Sequence, residues 1–408
     1  MEVAVRDEFL RVGRRWFETY LNKYASEEHR TIIERDGQKY YRQEKRPKQL
    51  RTILGTITVE RYYFYDAESH RGCCPFDEEW DVEGTMFSVR LRRIIGRVGA
   101  YRSFELGEED IREFTGLEVA AKEIERVSEM IGRAVNTYSQ QQAAGSNEHA
   151  VPMMYVCMDG TGVPMVKQAV EGRTGKGADG IAKTREAKLG CVFTQSTVDA
   201  EGYAIRDEHS TSYVGAIETA EQFGKRIEQE GTRRGSDRAQ TLCGIGDGAP
   251  WIWNLMQDRF PRAIQIVDLY HAREHYWTVA RLFFKQGSKK LYNWTERRKQ
   301  ELNAGKVKKV QRAIKRLRAH TSEQRQAQEQ HIEYFEKNRY RMQYDYYRSM
   351  GYFVGSGVLE AGCRTLVGQR LKQSGMHWTV EGANAIIASR CLLFSHRWED
   401  YWAARSAA

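Results

Sequence analysis

The stretch Thr241–His271 reads TLCGIGDGAPWIWNLMQDRFPRAIQIVDLYH. It begins with an apolar run that ends in Asp247-Gly248, and a helical pattern follows at 250–258. A second apolar run then leads into Asp268-x-x-His271. A strand, a helix and a further strand, with an aspartate after each strand, predict part of a sheet that is flanked by helices.

The chain before this stretch contains the same kind of pattern. The apolar run 151–158 ends in Asp159-Gly160, and strand patterns follow at 189–198 and 202–212. A helical pattern lies at about 215–230. The resulting order is three strands, helix, strand, helix and strand, followed by a helix that carries Glu360. This order predicts an α/β fold with an RNase H-like core, in which helices flank a mixed sheet.

Acidic residues stand where the predicted strands end, and Glu360 follows the turn Gly355-Ser-Gly357. Each aspartate taken alone is typical of a turn or a helix cap. Taken together, on a chain of formal net charge +9, they indicate a metal site that handles phosphates. Hard cations such as Mg²⁺ take oxygen ligands and keep positions open for substrate phosphates. Two such ions can activate a nucleophile and stabilise the leaving oxygen in an in-line displacement.

Residues 1–137 predict an α+β region that binds DNA. An amphipathic helix is expected at 6–25, a hairpin rich in aromatic and basic residues at 50–65, and helices within 87–136. The last of these outline a helix-turn-helix around Gly116. An ordinary hairpin and an ordinary helical pair explain the same patterns equally well. The candidate DNA contacts in this region are Arg90, Arg93 and Arg97.

The remainder divides into a linker at 138–150, a first core segment at 151–275, an all-α insertion at 276–343 and a last core segment at 344–408. In the insertion, an apolar stripe leaves basic residues on the other helix faces. These basic residues either bind the phosphates of DNA or are simply exposed to solvent. The basic candidates in the insertion are Lys308, Lys309 and Arg312.

Composition limits the class of protein. No apolar stretch of the 408 residues approaches the roughly 20 residues of a membrane helix. The seven cysteines are scattered and contain no Cys-x-x-Cys pair, which is typical of reduced thiols. The excess of Lys and Arg favours a polyanionic partner. We therefore expect a cytoplasmic, nucleoid-associated protein without a membrane segment.

Five stretches carry a resemblance to a known family: Met158–Gly160, Thr184–Gly190, Gly246–Ile252, Val267–Ala272 and Gly355–Lys372. With these stretches the chain resembles bacterial insertion-sequence transposases of the DDE superfamily, in the ISKra-four group, and more distantly mutator-like transposases. The resemblance covers most of residues 150–402. The Cys-x-x-Cys pair that family members often carry near 62–74 is absent, so no zinc site is implied there.

The resemblance implies a DNA transposase in which Asp159, Asp247 and Glu360 bind two Mg²⁺ or Mn²⁺ ions. Asp159 would bridge both ions, while Asp247 and Glu360 would each bind one. Hydrolysis at the transposon end and strand transfer to target DNA would follow at one site. The expected partners are the double-stranded DNA of the element ends and the target, with a homodimer or higher oligomer assembled on it.

Further residues near the expected site are candidates for chemistry or DNA contact. His271 could orient a phosphate or the attacking water, although a hydrogen bond that fixes the site is the favoured role. Trp378 either stacks on an unpaired base or packs in the core. The DNA-contact candidates in this segment are Arg364, Arg370, Lys372 and Trp378.

Two other functions remain open, while a third, an RNA-directed RNase H, is disfavoured by the basic insertion and the large N-terminal region. The first is a structure-specific nuclease of the same fold, which would not need to recognise a terminal repeat. The second is a domesticated DNA-binding protein that has lost transposase chemistry, which the intact set of acidic residues disfavours.

Overall fold

The computed structural model describes residues 1–142, 151–175 and 180–407. The chain forms two compact units, Met1–Ile131 and Gly132–Ala408, and each combines helices with strands. The protein is therefore a mixed α/β protein. Within the described residues, no helix combines the length and the apolar character that crossing a membrane requires.

The first unit contains a four-stranded antiparallel sheet in the order β1-β2-β3-β4. A core that includes Leu21, Ile57 and Val59 lies between α1 and the sheet. The elements that begin in this unit are α1 (Glu2–Ser26), β1 (Ile32–Arg35), β2 (Gln38–Thr52), β3 (Gly55–Asp66), β4 (Arg71–Cys73), α2 (Pro75–Glu79), α3 (Val89–Tyr101), α4 (Phe104–Thr115) and α5 (Ala121–Gln141).

The hairpin predicted at 50–65 is part of a longer structure. The pairing of β2 with β3 extends from the Thr52–Gly55 end to Tyr41 and Tyr65, and the register shifts between Arg42 and Lys45. Gly55 has a φ of 111°, which L-residues with a side chain rarely adopt, so glycine suits this turn.

The helices predicted within 87–136 are present. Ser88 and Ser103 cap α3 and α4 with their side chains, and Gly116 ends α4 in the left-handed conformation with a φ of 72°. Helix α5 continues to Gln141, so the first part of the predicted linker is helical. Residues 143–150 of that linker lie outside the described residues.

The second unit is built on a five-stranded sheet in the order β11-β10-β5-β6-β9. Strands β10 and β11 run parallel to β5, whereas β6 runs antiparallel to both β5 and β9. The elements up to the last strand are β5 (Met153–Pro164), α6 (Lys167–Val170), β6 (Thr184–Gln195), β7 (Thr197–Val198), β8 (Ala204–Ile205), β9 (Ser212–Ala216), α7 (Ala220–Arg233), β10 (Thr241–Gly246), α8 (Pro250–Arg259) and β11 (Ile264–Val267).

The third core strand does not lie at 202–212, as predicted, but at Ser212–Ala216. The chain instead forms the small hairpin β7–β8, whose turn is closed by hydrogen bonds from the amides of Glu201 and Tyr203 to the Asp199 side chain. The residues of such a small hairpin resemble a core strand in sequence because both show alternation of polar and apolar residues.

Helices make up the rest of the second unit, and the predicted all-α segment begins earlier than residue 276. Helix α9 starts at Leu269, directly after β11. The helices are α9 (Leu269–Phe283), α10 (Lys289–Asn303), α11 (Val307–Lys315), α12 (Ser322–Asn338), α13 (Tyr344–Ser349), α14 (Gly357–Gly362), α15 (Gln369–Leu371), α16 (Val380–Phe394) and α17 (Trp398–Ala407). A 3₁₀ turn (Arg339–Arg341) follows α12, and a π-helical segment (Cys363–Gly368) joins α14 to α15.

Candidate active site

Three aspartates stand at the same level on three neighbouring parallel strands. Gly246 of β10 pairs with Met158 of β5 and with Val267 of β11. The next residues are Asp159, Asp247 and Asp268. Neighbouring strands lie about 4.8 Å apart, so the register brings these three residues to one end of the sheet. Strand β5 continues to Pro164, so Asp159 lies inside a strand and not at its end as predicted.

Asp159 is half-buried and already hydrogen-bonded. One oxygen accepts a bond from the Gly160 amide at 2.7 Å, and the other accepts a bond from the Cys363 thiol at 3.3 Å. Burial raises the pKa of Asp159 in spite of these two hydrogen bonds, and the negative charge of Asp247 raises it further. Asp159 and Asp247 are therefore electrostatic neighbours, as the strand register requires.

Asp268 connects the end of β11 to the turn that precedes Glu360. Its side chain is almost completely buried; one oxygen accepts a hydrogen bond from the His271 amide at 2.7 Å, and the other accepts a bond from the Ser356 amide. The Leu269 amide donates to the Val354 carbonyl at 2.8 Å. Asp268 thus caps α9 and fixes the Gly355–Gly357 turn against it.

Glu360 is an exposed residue of the short helix α14. Partial burial raises the pKa of its carboxyl group, and the charges of Asp268, Glu274 and Asp159 act in the same direction. The His271 ring has the opposite effect on the pKa of both Glu360 and Asp159. Asp159 is therefore within electrostatic range of both Asp247 and Glu360, with His271 close by.

The chemistry of this acidic group fits a hard cation. Its donors are carboxylate oxygens, and a cation would relieve the repulsion that raises the pKa values of Asp159 and Glu360. However, within residues 1–142, 151–175 and 180–407, no three His, Cys, Asp or Glu side chains are grouped so that they could hold a metal ion. Asp159, Asp247 and Glu360 would have to turn towards one another, so their convergence on a metal pair stays a prediction.

A tyrosine from the helical segment supports the Asp247 turn. The Tyr334 hydroxyl on α12 donates a hydrogen bond to the Asp247 carbonyl at 2.8 Å. A Cβ added to Gly248, which has a φ of 106°, would lie 2.5 Å from the Tyr334 ring. Tyr334 stacks on His275, with ring centroids 3.4 Å apart and planes 7° apart. Sequence analysis did not identify Tyr334, because no local motif links it to a residue 87 positions away.

His275, on which Tyr334 stacks, is itself in contact with a second histidine, His331. The His275 Nδ1 lies 2.7 Å from the His331 Nδ1, so one ring donates a hydrogen bond to the other. Burial, together with the charges of His331 and His271, lowers the pKa of His275 to about 3. His271 itself lies in the first turn of α9, where its amide bonds to Asp268. This placement is compatible with the favoured role of fixing the site.

The DNA-contact candidates after Glu360 divide into exposed and buried residues. Arg364 and Lys372 are exposed, and the Lys372 ammonium donates to the Thr161 hydroxyl at 2.5 Å, two residues beyond Asp159. The prediction that Arg370 and Trp378 contact DNA is wrong. Arg370 is fully buried and Trp378 is 7% exposed, and the Arg370 guanidinium lies 5.0 Å from the centroid of the Trp378 ring.

Both buried side chains belong to the packed interior. The indole of Trp378 donates to the Leu371 carbonyl at 3.0 Å, and burial lowers the pKa of Arg370 to about 10. The wider π-helical turn at Cys363–Gly368 precedes Arg370 and changes the phase of the helix there. Core packing, the alternative considered for Trp378, is the observed arrangement.

The other basic candidates differ in accessibility. Arg90 and Arg97 are exposed on α3, whereas Arg93 is half-buried. All three candidates on α11 are exposed, namely Lys308, Lys309 and Arg312. The opposite face of α11 buries Val307, Val310 and Ile314. Contact of these residues with DNA stays a prediction.

A family model described as an uncharacterised protein family, UPF0236, matches residues 5–396. The chain belongs to UPF0236. A search of curated proteins finds no match. The match to UPF0236 runs through both units, so the family includes the N-terminal sheet and helices as well as the unit that contains Asp159, Asp247 and Glu360.

Proposed function

We propose that this UPF0236 protein is a DNA transposase that cleaves and joins DNA at insertion-sequence ends. The observation that carries the proposal is the register that aligns Asp159 and Asp247 on adjacent strands, with Glu360 within electrostatic range of Asp159. Burial, and after it the charges of nearby carboxylates, raises the pKa of both Asp159 and Glu360, and groups perturbed in this way mark a candidate catalytic site. The resemblance to ISKra-four transposases supports the same conclusion.

The topology of the second unit supports an RNase H-like core. Numbered in chain order, the five strands of the large sheet stand in the order third, second, first, fourth and fifth. The second strand, β6, runs against its neighbours. This is the mixed sheet expected of such a core, with Asp159 on the first strand and Asp247 after the fourth. The helices between β11 and Glu360 then correspond to an insertion.

In this proposal Asp159, Asp247 and Glu360 hold Mg²⁺ or Mn²⁺. The bound cations would supply activation of a nucleophile and stabilisation of the leaving oxygen in a phosphodiester displacement. Asp268 holds the turn before Glu360 through the Ser356 amide, and Tyr334 holds the peptide of Asp247. Lys372, beside Thr161, offers a positive charge to a DNA phosphate near Asp159.

Basic surfaces outside the site would position the double-stranded DNA. The exposed residues of α11 would bind phosphates without reading sequence, while Arg90 and Arg97 of α3 would contact the element ends. The net charge of +9 favours association with DNA and a nucleoid location.

The proposal is tested with the purified protein and duplexes made from the DNA that flanks its gene, in buffer that contains Mg²⁺. Asp247→Asn is expected to abolish nicking and strand transfer and to leave DNA binding nearly intact, because it removes a cation ligand but no DNA contact. Asp258→Asn, at an exposed position of α8, is the matched control and should keep activity. Nicking by the Asp247→Asn protein would contradict the proposal.

A structure-specific nuclease would use the same carboxylates. It would cleave a duplex of the flanking sequence and a scrambled duplex of the same shape at equal rates. A domesticated DNA-binding protein would bind the flanking duplex and leave it intact in Mg²⁺ and in Mn²⁺. The same set of substrates therefore separates the three functions.

A further inference from the structure

Helix α1 exposes a stripe of large apolar side chains. Phe9 is 74% exposed and Trp16 is 67% exposed, and Val5, Val12 and Tyr20 are between 46% and 54% exposed. The rings of Trp16 and Tyr20 stack on each other, with centroids 5.6 Å apart and planes 11° apart. A contiguous exposed apolar patch of this kind marks an interaction surface.

The stripe is a second apolar face of the helix. The first face contributes Leu21 and Ala25 to the core of the N-terminal unit, with Phe17 and Tyr24 packed against it. At 100° per residue, the exposed stripe is centred on a direction well over 90° away from that buried face. A helix that is apolar on two sides buries both in its functional state.

The spacing of the stripe matches a coiled-coil seam. Its members are Glu2, Val5, Phe9, Val12, Trp16, Tyr20 and Lys23. Consecutive members are separated by three or four positions, with one repeated step of four at Val12–Trp16–Tyr20, and such spacing keeps a stripe facing one partner helix. The stripe is apolar in the middle, acidic at its first end and basic at its last end.

We propose that α1 is a homodimer interface and pairs antiparallel with α1 of a second copy. The stripe is nearly symmetric about the point between Val12 and Gly13, as the self-complementary surface of a two-fold interface must be. Phe9 then faces Trp16 of the second copy, and Val5 faces Tyr20. Val12 faces Gly13 of the second copy, where the absence of a side chain allows close approach.

The charges at the ends of the stripe select the antiparallel orientation. Antiparallel pairing places Glu2 against Lys23 of the second copy at both ends of the seam. Parallel pairing would place Glu2 against Glu2 and Lys23 against Lys23, and like charges at these positions disfavour a pairing.

The surface is large enough for a dimer. A Phe, Tyr or Trp side chain buries about 150–250 Å² when fully enclosed. With roughly half or more of each ring exposed, the three aromatic residues of two copies offer on the order of 600–900 Å². The valines of the stripe and the aliphatic parts of the neighbouring side chains bring the total buried area to about 1,000 Å² or more. Specific interfaces begin at about this size.

Sedimentation velocity of the full chain without DNA tests the interface. The unmodified protein is expected to be a dimer at micromolar concentration. Phe9→Glu/Trp16→Glu is expected to weaken dimerisation at least about 100-fold, because it places unpaired charges in the seam. Phe114→Glu, a change at a residue of α4 that is 77% exposed, is the matched control and should remain dimeric. Circular dichroism confirms that each variant is folded.

A charge exchange tests the orientation. Glu2→Lys alone is expected to weaken the dimer several-fold, and Glu2→Lys/Lys23→Glu is expected to restore it. Glu113→Lys on α4 controls for the change in net charge.

Three results would overturn the proposal. The first is an unmodified protein that stays monomeric at tens of micromolar. The second is a dimer that Phe9→Glu/Trp16→Glu leaves intact, which would locate the interface elsewhere. The third is a dimer that Glu2→Lys leaves unchanged, which would indicate parallel helices, because the change would then exchange one like-charge contact for another. None of these readouts depends on DNA cleavage, so the result is independent of the transposase proposal.

Discussion

At the residue scale, the Asp247 turn depends on a side chain far along the chain. Tyr334 donates a hydrogen bond to the Asp247 carbonyl and covers Gly248 with its ring. Because the tyrosine touches the peptide of a proposed cation ligand and not the carboxylate, it acts as a positioning residue. Its position on α12 couples the helical segment to the end of β10.

Tyr334→Phe tests this role. The variant keeps the stacking on His275 and loses one hydrogen bond, so the free energy of unfolding should fall by about 1 kcal/mol. If Tyr334 positions Asp247, DNA cleavage should also slow several-fold and need a higher Mg²⁺ concentration. Tyr340→Phe, at a residue that is 72% exposed, should change neither property. A loss of stability with an unchanged Mg²⁺ dependence would assign Tyr334 a purely structural role.

Because His275 is partly buried, we expect the stability of the protein to decrease in acid. Burial lowers its pKa to about 3, whereas an unfolded histidine titrates near about 6.5. Between these values the unfolded chain binds more protons, so the free energy of unfolding should decrease as the pH falls from about 6.5. His275→Phe removes this response, which is at most about 1.4 kcal/mol per pH unit. Urea midpoints at pH 7.5 and 5.5 measure it; an equal acid dependence in both proteins would exclude His275 as the cause.

At the element scale, α11 presents a basic face and α3 presents two exposed arginines. Lys308→Ala/Lys309→Ala should weaken binding to flanking and scrambled duplexes alike and lower the slope of log K against log salt by up to about 1.8. Lys122→Ala/Lys225→Ala removes the same charge from two lysines that are ion-paired with Glu125 and Glu221, and serves as the control. An unchanged slope of log K against log salt would show that α11 does not contact DNA phosphates.

The arginines of α3 should behave differently. Arg90 and Arg97 are seven positions apart and therefore lie on one side of the helix. Arg90→Ala/Arg97→Ala should reduce affinity for the flanking repeat more than for scrambled DNA, since a base contact contributes about 1–3 kcal/mol of discrimination. Competition binding at fixed salt measures this preference. If both duplexes lose equal affinity, these arginines contact phosphates only.

At the scale of the whole molecule, a buried ion network joins α7 to the residues before α17. Glu230 is 5% exposed and pairs with Arg233 at 2.6 Å and with Arg397 at 3.2 Å. Burial alone would raise its pKa, but the hydrogen bond from Arg233 and the charge of Arg397 outweigh burial and hold the pKa below its usual value.

Glu230→Gln leaves these buried arginines without their carboxylate and should lower the free energy of unfolding by about 3 kcal/mol at pH 7. Because the folded pKa is lowered, this contribution is present above the unfolded pKa of about 4.3 and is lost as the pH falls through the folded value. The variant and the unmodified protein should therefore converge as the pH falls from about 4.3 through the lowered folded pKa of Glu230. Glu228→Gln, at the half-exposed pair with Arg259, is the control. A constant difference at all pH values would show that the network does not depend on the Glu230 charge.

Much of the fold is local enough to be recognised in the sequence. The apolar runs at β5, β10 and β11, the serine caps of α3 and α4, and Gly116 at the end of α4 are set by neighbouring residues. The small hairpin β7–β8 has the same alternation of polar and apolar residues as a core strand, so local sequence does not distinguish the two. Of the candidate site, the aspartates that follow apolar strands could be identified for the same local reason.

Local sequence is therefore enough to predict the apolar strands β5, β10 and β11, several helix ends and the aspartates that follow β10 and β11, because hydrophobic periodicity and capping act over a few residues. Only the tertiary structure decided which strands are neighbours, that Tyr334 supports Asp247, and that Arg370 and Trp378 are buried. It also divided the apolar residues of α1 between a packed face and an exposed stripe. These features depend on contacts between residues far apart in the chain, and no local pattern records such contacts.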